Sequence, residues 1–464
     1  MTVYTLSSNL PEDSFVDWTQ TSLWAQGEAP EDSSAQVYFN DTGRNYFIEI
    51  GQGEQVSIGS FSIESNHLVL DGSLVSAGSV SVSAGAGIQI YGGTLAAQSL
   101  HFNGTPGVDL GLVGVGTVTV AGPIYNNSTI IAGNATGLSD LTSLTLNAAY
   151  VDNLGLLEAS VGTTFIVNVT LAADFANYAY WTLTGGTYEA ISGGTLDLKT
   201  NGVIANDAAT LILDGAGTDT IASYNPATGQ YVPIQATLTQ VMSAGMLELD
   251  AASYSTVGGL TVQGVLKLIG VADFSAATLY LTSSGQAVLS DAFPGESMTL
   301  SANEIINNGQ ISVDGVGGGV ATISGPVCGS GSILLGPAVT SYVRGQQVIT
   351  TANVELTGAD SNSLTFSDGT GSFILDTPAA VTGSVQHFTS GDTIVLSHVT
   401  LASVTSYAYA NGVLTLHEGS TALHLNFSGS YTTQDFALST DSASGGLAIT
   451  GTSLIGVAPA IHTA

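Results

Sequence analysis

A chain of 464 residues with 44% hydrophobic and only 9% charged residues has ample material for a packed interior, and it is not an acidic disordered polymer, which is poor in apolar residues. Its charge is lopsided, with 36 Asp and Glu against four basic residues (Arg44, Lys199, Lys267 and Arg344) and a formal net charge of -32. Four scattered cations cannot supply the clustered Lys and Arg that nucleic acid or an anionic membrane requires, and the single cysteine, Cys328, excludes an internal disulfide and a multi-cysteine zinc site.

From the amino terminus, "MTVYTL" (Met1 to Leu6) alternates apolar and polar residues and predicts a short strand before Pro11. Two readings stand for it: a strand donated to a neighbouring copy, or a cap strand within the same chain. The segment lacks the basic and apolar regions of a signal peptide, so the expectation is a mature start or export by a different signal.

Beyond residue 50, helix periodicity is scarce and period-2 alternation is nearly everywhere, in short Val-, Ile-, Leu- and Thr-rich runs. The runs repeat. "IYGGTLAA" (Ile90 to Ala97), "LTGGTYEA" (Leu183 to Ala190) and "ISGGTLDL" (Ile191 to Leu198) share a Gly-Gly-Thr corner, and "SAGMLELD" (Ser243 to Asp250) and "VQGVLKL" (Val262 to Leu268) are looser relatives. Asn marks the corner in "IYNNSTII" (Ile124 to Ile131), "YVDNLGLLE" (Tyr150 to Glu158) and "IINNGQISV" (Ile305 to Val313). Corners recur roughly every 15 to 25 residues, the period of a solenoid.

An all-β parallel β-helix explains this. Gly or Asn takes the left-handed conformation at each corner, and inward residues stack on their equivalents about 4.8 Å away. A β-sandwich also gives many short strands, but it has no reason to repeat one phrase through residues 60–330. The expected organisation is an N-terminal strand and cap segment (1–50), a parallel β-helix body (51–360) and a C-terminal β module (361–464). The uncharged run Gly315 to Val343 is too rich in Gly, Ser, Thr and Pro for a membrane helix, so no membrane insertion is expected.

Catalytic and metal motifs are sparse. Asp214 and Asp219 flank a glycine turn in "DGAGTD" and are expected to be solvated corner residues. His417 and His424 fall on successive predicted strands, without a third metal ligand at recognisable spacing. Calcium-binding Gly-Asp nonapeptides need tandem copies, whereas "SGDTIVL" (Ser390 to Leu396) occurs once, with "FSDGTGSFIL" (Phe366 to Leu375) a weak relative. Gly391 and Asp392 are therefore read as a turn, with Ile394 and Leu396 inward and calcium as the alternative. Cys328 is read as a small apolar residue of the packed interior. No catalytic, cofactor-binding or metal residue is assigned, and no enzyme is expected.

Two segments resemble known families. "FVDWTQTSLWAQGEAPEDSSAQVYF", with Trp18, Trp24, Gly27 and Pro30, resembles the opening of many bacterial secreted β-helical proteins. "YWTLTGGTYEAISGGTLDL" and "ATLILDGAG" (Ala209 to Gly217) are similar to coils of autotransporter-like passengers and filamentous adhesins. The tail, from "GDTIVLSHVTL" through "NGVLTLHEGSTALHLNFSGSYTTQDFALSTDSASGGLAIT", shows no membrane-barrel pattern. It resembles instead the end of large proteobacterial extracellular proteins exported by type I (one-step) secretion. The resemblance implies a right-handed β-helix, export and an extracellular or cell-surface location.

The functional expectation is a structural protein that self-associates into filaments or a surface matrix layer through β-helix ends or strand donation, with itself as principal partner. The competing expectation is a monomeric adhesin or carbohydrate-binding β-helix with cell-surface polysaccharide as partner. Tyr178, Tyr180 and Trp181, the one dense aromatic cluster, suit either a sugar platform or coil packing. A polysaccharide-degrading enzyme is a third reading.

Overall fold

The computed structural model describes residues 2–7, 15–39, 46–133, 142–170, 175–215, 218–290, 297–315, 319–343, 346–367 and 370–452. The chain divides into two units, Met1–Leu238 and Thr239–Ala464, and each is a parallel β-solenoid.

In the first unit, period-2 alternation places every second residue inside, and parallel pairing stacks those residues into columns. One column runs Tyr4, Val37, Phe61, Val80, Leu100, Ile124, Val151. A second runs Val16, Ile48, Leu68, Ile88, Leu112, Ile130, Leu157, Tyr188, Leu211. A third runs Val56, Leu74, Leu95, Val118, Leu146, Val167, Leu198. All are buried. Each fully buried aliphatic side chain contributes about 1.5–3 kcal/mol, so the columns are the main source of stability.

The corners follow two rules. The Gly-Gly-Thr corners use positive φ, at Gly92, Gly185, Gly186 and Gly193, whereas Gly245 and Gly264 of the looser relatives do not. Asparagine corners do not, which corrects the expectation. Asn126, Asn153 and Asn177 are absent from the left-handed region and point inward. Asn126 Nδ2 donates to Asn153 Oδ1 (2.8 Å), Asn153 N to Asn177 Oδ1 (2.6 Å) and Asn177 Nδ2 to Asn153 O (2.8 Å). Asn is needed for its amide, which satisfies backbone groups turned inward at the corner.

The N-terminal strand, Val3–Thr5, pairs in parallel with Gln36–Phe39 of the same chain. Its outer side meets residues 23–25: Ser7 N donates to Leu23 O (2.8 Å), Ala25 N donates to Thr5 O (2.9 Å), and Leu6 bridges Trp24. This is the intramolecular cap geometry. Trp18 and Trp24, their rings 4.8 Å apart, close the interior with Leu23 and Phe39.

The second unit also has three columns. Two are apolar: Leu247, Leu266, Ala287, Ile311, Ile333, Leu364, Val385, and Tyr254, Phe274, Leu300, Ile323, Leu356, Leu375, Leu396. The third runs Leu260, Leu279, Ile305, Val327, Asp360, Val381 and so carries an acid. Asp360 is 1% exposed; one oxygen accepts from Asn362 N (3.0 Å) and the other has no hydrogen-bond partner. Burial pushes its carboxyl up to about 7. Asp207 of the first unit repeats this arrangement, with Ala209 N on one oxygen (2.8 Å), no partner on the other, and burial raising its pKa well above the ordinary value.

Parallel stacking continues past the expected boundary at 360/361, through Ser363–Phe366, Ser372–Leu375 and Thr393–Leu396. The change to antiparallel pairing comes at the meander Val404–Ala410, Val413–Glu418, Thr421–Ser428, joined by Phe436–Thr440 against Leu447–Gly451. An apolar alternation reads the same in both settings, so the pattern does not mark the switch. No helix among the described residues is long and apolar enough to cross a membrane.

Candidate functional site

The aromatic cluster flagged in the sequence forms the tip of a hairpin. Tyr178 pairs with Leu183 and Ala179 with Thr182, leaving Tyr180 and Trp181 as the two turn residues. Both have positive φ, 52° and 64°. That is the pattern of a type I′ turn, which favours Asn-Gly, and a residue with a Cβ held there costs about 1–2 kcal/mol. Tyr180 is 95% exposed and Trp181 63% exposed, so packing does not offset that cost.

The base of the hairpin is fixed. Tyr178 Oη donates to Val203 O (3.0 Å), and burial pushes this hydroxyl up to about 12. Trp181 O accepts from Ala205 N (2.9 Å) and Asn206 N (3.0 Å). Gly202, at φ 141°, lies under the rings, where a Cβ would sit 2.8 Å from Tyr178 Oη and 3.3 Å from Trp181 Cδ1. The hairpin base and the Trp181 ring are thus held against the coil, and the Tyr180 ring projects beyond them.

A second hairpin stands nearby in the same unit. Thr220–Asn225 pairs antiparallel with Gln230–Pro233, and the Asn225 side chain accepts from Ala227 N (3.0 Å) to shape the turn. Tyr224 and Tyr231 face each other across it, ring centres 5.5 Å apart and nearly perpendicular. Tyr231 Oη reaches Asn168 Oδ1 (3.4 Å), and Asn168 Nδ2 donates to Asn147 Oδ1 (3.1 Å). Burial, with the Asp197 carboxylate next, pushes the Tyr231 hydroxyl up to about 12.

The segment between the hairpins touches both. Val203 receives Tyr178, and Lys199 Nζ lies 5.9 Å from the centre of the Tyr224 ring. Two residues before Lys199 on the same outward face is Asp197, half-buried and pushed up to about 6 by burial. Asp197 accepts no hydrogen bond and Lys199 forms no ion pair among the described residues. Tyr224 and Tyr231 therefore lie beside an ammonium and a carboxylate, neither of which has an ion pair or hydrogen bond among the described residues.

The other sequence candidates lie elsewhere. Asp219 is not a solvated corner: it is 6% exposed and accepts from Gly193 N (2.5 Å), tying one coil to the next, while Asp214 lies at the end of Asn206–Asp214. Asp392 is buried and accepts from Thr389 N (2.7 Å) and Thr389 Oγ1 (3.1 Å), Gly391 has φ 101°, and Ile394 and Leu396 point inward. His424 Nδ1 lies 3.1 Å from Thr415 Oγ1, and His417 pairs with Ala422. No group of three His, Cys, Asp or Glu suited to a metal is present among the described residues.

Cys328 is half-buried and faces outward rather than packing inside, its Sγ 3.9 Å from Glu304 Oε1, and burial raises its thiol pKa. It follows Val327, which takes the inward position in that strand. Lys267 pairs with Glu248 (3.1 Å) on the adjoining coil. Arg44, Arg344 and Asp368 lie outside the described residues.

The second hairpin escaped sequence reading, although "SYNPATGQYVP" (Ser223 to Pro233) carries its signal, two Tyr-containing runs around a Pro- and Gly-bearing turn. No protein-family model, no curated protein and no solved structure matches this chain significantly, so any functional reading rests on its own side chains.

Proposed function

We propose that this chain is an extracellular surface protein that binds carbohydrate through the exposed rings of Tyr180 and Trp181. The observation that carries the reading is their backbone: two bulky residues occupy positive φ at a solvent-exposed tip. Strain of this kind, held by a rigid base, marks a functional position. Sugars expose C–H faces that pack on aromatic rings and hydroxyls that take polar partners beside them. The site is read as binding rather than catalytic, because glycoside hydrolysis requires paired carboxylates and the residues gathered here include one, Asp197.

Self-association is the second reading, and Phe15 favours it. Its ring is 69% exposed, stacks on Phe47 (4.9 Å), and Phe47 stacks on His67 (5.0 Å), leaving an open face on the first coil. Against it, residues 23–25 cover the first strand and antiparallel strands follow the last parallel coil, both devices that suppress edge pairing.

Trp181 makes the carbohydrate reading directly testable. The chain has three tryptophans, and Trp18 and Trp24 are buried at 1% and 2% exposure, so acrylamide quenching reports on Trp181. Soluble polysaccharide is expected to protect it from quenching, and Tyr180→Ala with Trp181→Ala is expected to abolish retention in polysaccharide-containing gels. Unchanged quenching together with filaments in negative-stain images would transfer the reading to self-association.

A further inference from the structure

The carbohydrate reading leaves open which class of glycan is bound, and a polar face of the same unit bears on it. Asp197 and Lys199 face outward from one strand, Thr195–Leu198 and its continuation. Register places Ile166 and Ala222 on either side of Asp197 in its column, so no neighbouring cation compensates it from those coils. Tyr231 reaches Asn168 across the neighbouring coils, close enough to Asp197 for the carboxylate to raise the Tyr231 hydroxyl. Asp197 is half-buried yet reachable from solvent, and neither of its oxygens accepts a hydrogen bond among the described residues, so a ligand bearing two adjacent hydroxyls can donate to both. The amides of Asn147 and Asn168 and the Lys199 ammonium offer further polar contacts, and the Tyr224 ring offers a face for C–H groups.

Charge argues on the same side. A polyuronate would bring its carboxylates up to Asp197 in the field of a chain with formal net charge -32, opposed locally by Lys199 alone. We propose that the Asp197 face, with Lys199, Tyr224 and Tyr231 beside it, is a subsite for a neutral polysaccharide, recognised through a vicinal diol on the Asp197 carboxylate and borne on the same unit as the Tyr180 and Trp181 tip. This rests on the carbohydrate reading of that tip.

The experiment is affinity electrophoresis and acrylamide quenching of the full chain with dextran, mannan and mixed-linkage β-glucan as neutral probes and polygalacturonate and hyaluronate as anionic ones. The variants are Asp197→Asn, Lys199→Ala and the Tyr180→Ala, Trp181→Ala pair, with circular dichroism confirming the fold of each. Retention by at least one neutral probe, weakened about ten-fold in Asp197→Asn, is the expected result. Retention by the anionic probes alone, lost in Lys199→Ala, overturns the neutral class and leaves the carbohydrate reading intact. Neutral retention undiminished in Asp197→Asn overturns the subsite. Failure of every probe to retain the chain or protect Trp181 overturns the carbohydrate reading itself.

Discussion

The hairpin tips at residues 180–181 and 411–412 share a backbone. In each, both turn residues have positive φ: Tyr180 and Trp181 at 52° and 64°, Asn411 and Gly412 at 52° and 83°. Each joins two antiparallel strands with a two-residue loop, Ala179 pairing with Thr182 and Ala410 with Val413. Asn-Gly is what such a turn selects when turning is its only task, because Asn tolerates the left-handed region and Gly has no Cβ to strain. Tyr-Trp meets the same geometry at a cost of about 1–2 kcal/mol per residue. Turn formation accounts for the residues at 411–412 and fails to account for those at 180–181. That contrast is what supports the proposed role of the aromatic rings in binding.

Stability comparisons between the tips have to be made at one pH, because the largest effect expected in this molecule is a titration. Asp360 has an ordinary carboxyl value of 3.8 when unfolded and about 7 when folded. Between those values the native chain keeps a proton that the unfolded chain has lost, so stability falls as pH rises. The contribution is fully present below about pH 4 and gone above about pH 7, a loss of about 4 kcal/mol. Asp207 acts in the same direction. Urea midpoints followed by circular dichroism are expected to drop from pH 4 to pH 8, and Asp360→Asn to flatten the drop. A stability that rises over this range would rule out the buried protonated acid.

At fixed pH, moving the aromatic pair onto the other tip is the next largest perturbation. Asn411→Tyr with Gly412→Trp is expected to destabilise the chain by about 2–3 kcal/mol in urea melts, since the turn gains a Cβ at φ 83° and the rings have no mount. The reverse exchange, Tyr180→Asn with Trp181→Gly, is expected to stabilise by about 1 kcal/mol while abolishing polysaccharide retention. If it lowers the melting temperature instead, the tip is structural and the contrast collapses. The smallest effect belongs to the mount: Tyr178→Phe removes the bond to Val203 O, about 1 kcal/mol or less, and retention should weaken only modestly.

Alternation and corner spacing made the solenoid legible in the sequence, because burial of every second residue leaves its mark at every coil. The chemistry of the corners was only half legible. Gly92 and Gly193 are left-handed as read, whereas Asn126 and Asn153 serve through inward amides that bond to the next coil, and Asn126 also accepts from Ser128 N within its own corner. Cys328 misled because composition favours burial while register set it outward. Tyr180 and Trp181 were visible as a cluster, but exposure and φ are properties of the folded chain. Asp197 carried no local signal: its neighbour Tyr231 comes from a hairpin of a later coil.

The Asn411–Gly412 turn has a consequence for how the chain is built. The 404–428 meander pairs residues close in sequence, and hairpins of this kind close in about 1–10 μs. Every parallel coil, by contrast, pairs residues separated by about 20 or more positions, as Phe61 with Val80, and must wait for a larger loop to close. Thr421–Ser428 presents a preformed edge to Ser384–Gln386. Local closure thus favours the carboxyl-terminal meander as an early edge of the second unit, against which a parallel coil of lower residue number can pair.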